Sequence, residues 1–199
     1  ETTVFGFETE EELESFHDYP ETTGVVLEQS IGTKATGSIE NQRWDYRTGF
    51  IKNTFRGNAS LKVTTPKANT FANITLSSLG LIKNGDTLTY HVFVPSDSPI
   101  NALEWKGVID DSEEISYKHI PLTSDLKGVW LEVEVEIYND SIESNFLNYT
   151  DISIYSYKDA DTETDGVYYI DSIEMNPLDI LTTIITYAEL IIEDPSLFT

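Results

Sequence analysis

The sequence has no cysteine and a single methionine among 199 residues, and only 12 basic side chains stand against 35 acidic ones. Without cysteine there is no disulfide, no thiolate nucleophile, no Cys-ligated zinc and no iron–sulfur cluster. A formal net charge of −23 repels phosphate backbones and anionic headgroups alike, which argues against a general nucleic-acid or membrane-surface role. No apolar run reaches the roughly 18 residues a bilayer-crossing helix needs, so no membrane insertion is expected. The chain opens at Glu1 with neither a Met nor a charged-then-apolar leader, which reads as a processed or excised piece of something longer.

What the chain does have is aromatic side chains. With 11 Tyr, 9 Phe and 3 Trp, and a hydrophobic fraction of 39%, it can fold around a core of ordinary single-domain size. Asn-x-Ser/Thr triplets occur at Asn58, Asn73, Asn139 and Asn148, against about two expected by chance, so they say little.

The dominant period is two. From Leu131 to Ile137 every odd position is apolar and every even one is Glu, the pattern of a strand with one dry and one wet face. Residues 88–94 place Leu88, Tyr90, Val92 and Val94 on one side. Further strands are expected at 25–29, 60–65, 71–76, 103–109, 152–157 and 167–174. Turn signals lie between them at Asn84-Gly85-Asp86, Pro95-Ser96-Asp97, Lys127-Gly128 and Asp165-Gly166. Many short strands predict an all-β fold, a two-sheet antiparallel β-sandwich of jelly-roll type. Two segments are helical instead. Residues 9–16 offer Thr9 as an N-cap with three acids in the first turn. Residues 179–193 carry apolar side chains at helical spacing, with Pro195 beyond their end. The expected division is a sandwich over 1–175 and a short C-terminal helical extension or linker over 176–199.

Catalysis needs a constellation, and the sequence offers none that stands out. His17, His91 and His119 have no two-ligand metal spacing, and there is no nucleophile elbow, phosphate-cradling loop or dinucleotide fingerprint. A glycosidase needs only two carboxylates, but 35 acids make pairing by sequence meaningless. The run from Asp161 to Gly166 copies the opening of a calcium loop, yet Ser172 stands where the bidentate acid belongs, and a strand follows instead of a helix. A solvated acidic turn is the simpler reading there, as it is for residues 110–114.

Flat rings beside hydrogen-bonding groups suit a ligand with C–H faces and hydroxyls, as a sugar has. Arg43, Trp44 and Tyr46 lie in a polar stretch with no apolar periodicity to bury them, although core anchoring is an equal alternative for Trp44. Trp105 shares a strand side with Leu103 and Ile109. Trp130 alternates with Glu132, Glu134 and Glu136 on a wet face. Tyr155 and Tyr157 fall opposite Ile152 and Ile154, where they build either a ligand platform or cross-strand pairs.

The order of five motifs is familiar. Phe5-Gly6-Phe7-Glu8 comes first, then Gly57-Asn58-Ala59-Ser60-Leu61-Lys62-Val63, the run from Lys83 to Val94, Gly128-Val129-Trp130, and the run from Val167 to Glu174. In this order the sequence resembles the jelly-roll carbohydrate-binding modules attached to bacterial polysaccharide-degrading enzymes, over roughly residues 4–175. The resemblance implies a structural Ca2+ at the sandwich edge. The matching ligand positions are Glu8, the backbone near Lys62, and Asp171, with Glu10 as a further ligand. It also implies a secreted or cell-surface, monomeric, non-catalytic module joined in cis to a parent catalytic domain and bound to a plant cell-wall polysaccharide such as β-mannan, β-glucan or xylan. Sugar contacts vary among such families, so Arg43, Trp44, Tyr46, Trp105 and Tyr117 are expected as ligand-binding residues from their chemistry and position. Trp130 is nearer a structural role. The alternatives are an extracellular adhesion or scaffold sandwich without a glycan groove, and a small jelly-roll enzyme acting on glycans.

Overall fold

Alternation of apolar and polar residues dictates strands along most of the chain, and strands are what the computed structural model shows. It describes residues 3–14, 16–18, 24–31, 33–34, 42–45, 49–52, 54–67, 71–83, 87–109, 113–136, 146–159 and 163–175. In chain order the elements are β1 (Thr3–Phe5), α1 (Glu10–Glu14), β2 (Phe16–Asp18), β3 (Val26–Ile31), β4 (Thr33–Lys34), β5 (Gln42–Asp45), β6 (Gly49–Lys52) and β7 (Ala59–Thr65). They continue with β8 (Phe71–Lys83), β9 (Thr87–Phe93), β10 (Ile100–Ile109), β11 (Glu113–Pro121), β12 (Trp130–Glu136), β13 (Phe146–Lys158) and β14 (Gly166–Met175). Every strand expected from periodicity is present. The short strands β1, β2, β4, β5 and β6, and the longer β11, were not foreseen. The helix expected at 179–193 and the Tyr46 position lie outside the described residues.

Two antiparallel sheets form the sandwich. The first runs β12-β9-β14-β7-β3, with β1 also paired to β14, and the second runs β11-β10-β13-β8-β2. Strands adjacent in a sheet are mostly distant in sequence, as the crossing connections of a jelly roll require. A third, small sheet, β4-β6-β5, lies in the chain between β3 and β7.

The core follows from the strand period. Leu61 and Val63 of β7, Leu88, Tyr90 and Val92 of β9, Val133 and Val135 of β12, and Tyr168 and Ile170 of β14 are buried on the inner face of the six-stranded sheet. Ile74 of β8, Leu103 and Trp105 of β10, and Ile154 of β13 join the same core cluster from the five-stranded sheet. The rings of Tyr90 and Trp105 stack across the layers, with centroids 5.3 Å apart and planes 23° apart. Each such side chain contributes about 1.5–3 kcal/mol by leaving water. Helix α1 is a single capped turn. The Thr9 hydroxyl accepts the Glu12 N–H at 3.4 Å, while the Glu12 carboxylate accepts the Glu8 N–H at 2.9 Å, a close variant of the capping box.

Candidate functional site

The inward residues being spent on the core, any ligand must meet an outer face, and the two large sheets differ sharply there. On the six-stranded sheet, register sets Trp130, Phe93, Tyr169, Lys62 and Glu28 in one cross-strand row. The next row holds Glu132, His91 and Asp171. Aromatic and polar groups alternate here as a ligand platform would have them. Yet His91 and Phe93 are both 1% exposed, because the chain covers them itself. The Phe55 ring lies 3.8 Å from the His91 ring, 11° from parallel, and packs tilted against Trp130. Trp130 in turn meets Phe93, which meets Tyr169.

Two carboxylates hold that covering turn. One oxygen of Asp171 accepts the N–H groups of Phe55 and Arg56 at 2.7 and 2.9 Å, and the other accepts the Ser172 N–H and hydroxyl at 2.6 and 3.3 Å. Glu8 accepts the N–H groups of Asn58 and Ala59 at 2.8 and 3.2 Å. Between these anchors Gly57 has φ +63°, and a Cβ there would overlap the Glu8 carboxylate. Arg56 pairs with Glu174. Both anchors adjoin residues in the left-handed region, Phe7 at φ 57° and Ser172 at φ 49°, conformations that cost on the order of 1–2 kcal/mol each. Ser172 sits in the bulge that breaks the β14–β9 register after Asp171, and the local kink re-aims the strand. Burial pushes the Asp171 carboxyl up to about 6, with its backbone and side-chain hydrogen bonds pulling the other way.

These are the residues the resemblance nominated for calcium, and they do not fit that role in this arrangement. An ionised carboxylate has about four lone-pair sites, and Asp171 fills as many with N–H and O–H donors. Glu8 likewise faces the positive ends of peptide dipoles. Glu10 is exposed at the start of α1, and Lys62 pairs in register with Tyr169 and Glu28. Among the described residues no three His, Asp or Glu side chains gather as a metal site.

The outer face of the five-stranded sheet is partly open: Lys106 and His119 reach solvent there, while Ala102, Glu104 and Thr75 are buried. In β10, Ala102, Glu104 and Lys106 alternate with the core residues Leu103 and Trp105. Register then sets His119, Glu104, Tyr155 and Asn73 in one row, and Tyr117, Lys106, Ser153 and Thr75 in the next. One Glu104 oxygen lies 3.2 Å from His119 Nδ1 and the other 3.7 Å from Lys106 Nζ. Lys106 Nζ also stands 5.4 Å from the centroid of the Tyr155 ring. The side chains of Lys106 and His119 are 33% and 42% exposed. A partly buried ring with two flanking nitrogen donors, held by the buried Glu104 carboxylate, can stack against a flat C–H face and donate hydrogen bonds to oxygens around it.

Of the expected ligand residues, Trp105 is corrected: it is 0% exposed and stacked on Tyr90. Its inward phase beside Leu103 puts it in the core. Tyr117 pairs in backbone register with Lys106. Arg43 and Trp44 lie on β5 of the small sheet, away from that cluster in the topology. Sequence reasoning missed Glu104, Lys106 and His119, although the polar phase of β10 was there to be read.

With these faces defined, the architecture is that of the jelly-roll β-sandwich found in carbohydrate-binding modules. A structure from a study of promiscuous specificity among carbohydrate-binding modules of the β-sandwich superfamily aligns with TM-score 0.51 and 18% identity, over 78% of this chain and 58% of that one. The family 27 module of Caldicellulosiruptor saccharolyticus, solved with mannohexaose, aligns with TM-score 0.52 and 13% identity over 90% of this chain and 98% of that one. An exo-β-agarase gives TM-score 0.55 and 11% identity over 89% of this chain, which spans only 25% of the enzyme. No protein-family model and no curated protein matches the sequence.

Proposed function

We propose that the chain is a non-catalytic saccharide-binding module whose ligand surface is the outer face of the five-stranded sheet. The observation that carries this reading is the Tyr155–Lys106–Glu104–His119 cluster, in which the Lys106 and His119 side chains reach solvent around a partly buried Tyr155 ring and a buried Glu104, while His91 and Phe93 on the other sheet are shut away from solvent. Tyr155 offers the stacking plane. The buried Glu104 carboxylate holds Lys106 and His119 in place, and these two side chains reach the ligand's oxygens. A neutral plant cell-wall polysaccharide, β-mannan, β-glucan or xylan, fits this mixture of flat ring and hydrogen-bonding groups. Joined to a parent enzyme and secreted with it, such a module raises the local substrate concentration without altering the polymer. The similarity to carbohydrate-binding modules in fold supports this reading.

Affinity electrophoresis against mannan, xylan, mixed-linkage glucan and xyloglucan tests it. Wild-type protein should be retarded by at least one polymer, and Tyr155→Ala should weaken binding about tenfold, the equivalent of ~1.4 kcal/mol, with an unchanged melt. Retardation by none of the four, or an unaffected Tyr155→Ala variant, removes the proposal.

A further inference from the structure

The Phe55 turn shuts only part of the outer face of the six-stranded sheet. From Phe93 outward along its cross-strand row, exposure rises: Phe93 is buried, Tyr169 and Lys62 are half-buried, and Glu28 is exposed. The neighbouring row, on the side away from Asp171, joins Val167, Thr64 and Val26. Val167 and Thr64 are half-buried there, and Val26 is 49% exposed. With Leu61, Val63, Tyr168 and Ile170 buried in the core between the sheets, strand alternation turns these residues outward.

A fixed turn borders them. After β9, the Ser98 N–H donates to the Pro95 carbonyl at 3.0 Å and the Ser98 hydroxyl to the Val167 carbonyl at 2.9 Å. Lys127 Nζ donates to the Ser98 carbonyl at 2.7 Å. The turn is thereby tied to β14, with Asp97 exposed on it. Burial first, then the charges of Asp97 and Glu28, push the Tyr169 hydroxyl up from its ordinary range, so both carboxylates act on that ring. The ring itself packs tilted on Phe93, with centroids 6.2 Å apart.

We infer that Tyr169, with Lys62, Glu28 and Asp97 around it, is a second saccharide-binding site and takes a neutral sugar. Charge selects the ligand. Lys62 stands between Tyr169 and Glu28 in the row and repels a cation, while Glu28 and Asp97, in a protein of charge −23, repel an anion. A neutral sugar satisfies both signs: its oxygens accept from Lys62, its hydroxyls donate to the carboxylates, and its C–H face lies on the phenol ring. Phe93 and the tied turn hold Tyr169 and Asp97 in place beforehand, which lowers the ordering cost of binding. The inference goes beyond the five-stranded site and shares no residue with it. The two sites lie on opposite outer faces of the sandwich, so a polymer seated on one face leaves the other free for a second chain.

The experiment is affinity electrophoresis of the full chain against mannan, xylan, mixed-linkage glucan and xyloglucan, with polygalacturonate as the charged control, at about 50 and 500 mM salt. Tyr155→Ala should keep residual retardation by at least one neutral polymer, unchanged by salt. Tyr155→Ala/Tyr169→Ala should bind about tenfold more weakly still. Should Tyr169→Ala not fold, Glu28→Ala/Asp97→Ala gives the same readout from exposed positions. No retardation by a neutral polymer once Tyr155 is replaced, or residual retardation that both the Tyr169 and the Glu28/Asp97 variants leave intact, would overturn the inference. Neutral binding that survives Tyr155→Ala undiminished and disappears in Tyr169→Ala keeps it and removes the five-stranded sheet as a site. Retardation by polygalacturonate that Tyr169→Ala abolishes would put an anion there instead. Dimerisation of the sugar-free protein that Tyr169→Ala abolishes would put a second copy there, and either result overturns the assignment.

Discussion

The outer faces of the two large sheets carry similar side chains and have opposite fates. Trp130, Phe93, Tyr169 and His91 on one face would pass for a sugar platform in any reading of alternation, as would Tyr155, Tyr157, Glu104 and His119 on the other. The difference lies in a turn more than a hundred residues away in sequence from Asp171, the carboxylate that pins it. Phe55 closes over part of the first face and leaves His91 1% exposed, whereas the His119 side chain on the second stays 42% exposed. Ring composition decides what a face can bind; a distant hydrogen bond decides whether it is free to do so.

The largest effect should come from removing that pin. Asp171→Ala leaves the Phe55 and Arg56 N–H groups without their acceptor under a packed ring, at a cost on the order of 3 kcal/mol, or about 10 °C in melting temperature for a chain of this size. A calorimetric or circular dichroism melt measures it. Tyr155→Ala, on the partly open face, should barely move the same melt. Equal shifts for the two variants would erase the distinction between a face used for packing and a face left for a ligand.

Much of this was legible in the sequence, and the limit has a physical cause. Period-two alternation locates every long strand except β11, because burial of one sheet face imposes that period on the residues themselves. It equally foretells that Leu103 and Trp105 share a side, which makes Trp105 a core residue despite its appeal as a sugar contact. The partner of a carboxylate is different. Nothing local to Asp171 or Glu8 says that their acceptors will be filled by peptide N–H groups of residues 55–59, since that depends on a turn, a glycine at φ +63° and a bulge meeting in space. The Glu104–His119 pair is non-local in the same way. It exists because β10 and β11 pair in one register, which a one-residue slip would destroy.

A smaller effect, with a definite sign, sharpens the contrast through pH. The folded-state pKa of Asp171 is raised by burial from 3.8 to about 6, so the folded protein holds this proton more tightly than the unfolded chain. The contribution is fully present below pH 3.8 and is lost as pH rises through about 6. Other carboxylates also titrate in this range, and relief of a −23 charge stabilises the protein toward low pH on its own account. His91, the cross-strand neighbour of Asp171, and Glu132 beyond it face the same turn. Subtracting a variant isolates the one group. The stability of wild type relative to Asp171→Asn should fall between about pH 4 and pH 7, followed by thermal melts in matched buffers. A flat difference would mean that the Asp171 carboxyl titrates alike in the folded and unfolded chain.

The smallest expected effect is none, and it bears on the covered face most directly. A carboxylate that bridges to a cation and one that grips peptide N–H groups both tie down a sandwich edge, but only the first depends on an ion. Ligation by Asp171 would require it to release at least one of the donors Phe55, Arg56 and Ser172, because about four acceptor sites are all a carboxylate has. Glu8 would have to turn away from Asn58 and Ala59, freeing the turn that shields His91. An ion binding only the folded state would stabilise the protein by about 2.7 kcal/mol at a hundred times its dissociation constant. Melting in excess EDTA should therefore match melting in millimolar calcium. A rise in melting temperature with calcium, abolished in Glu8→Gln, would show that the turn is held by a metal in place of the peptide hydrogen bonds described, and the two outer faces would then differ by an ion.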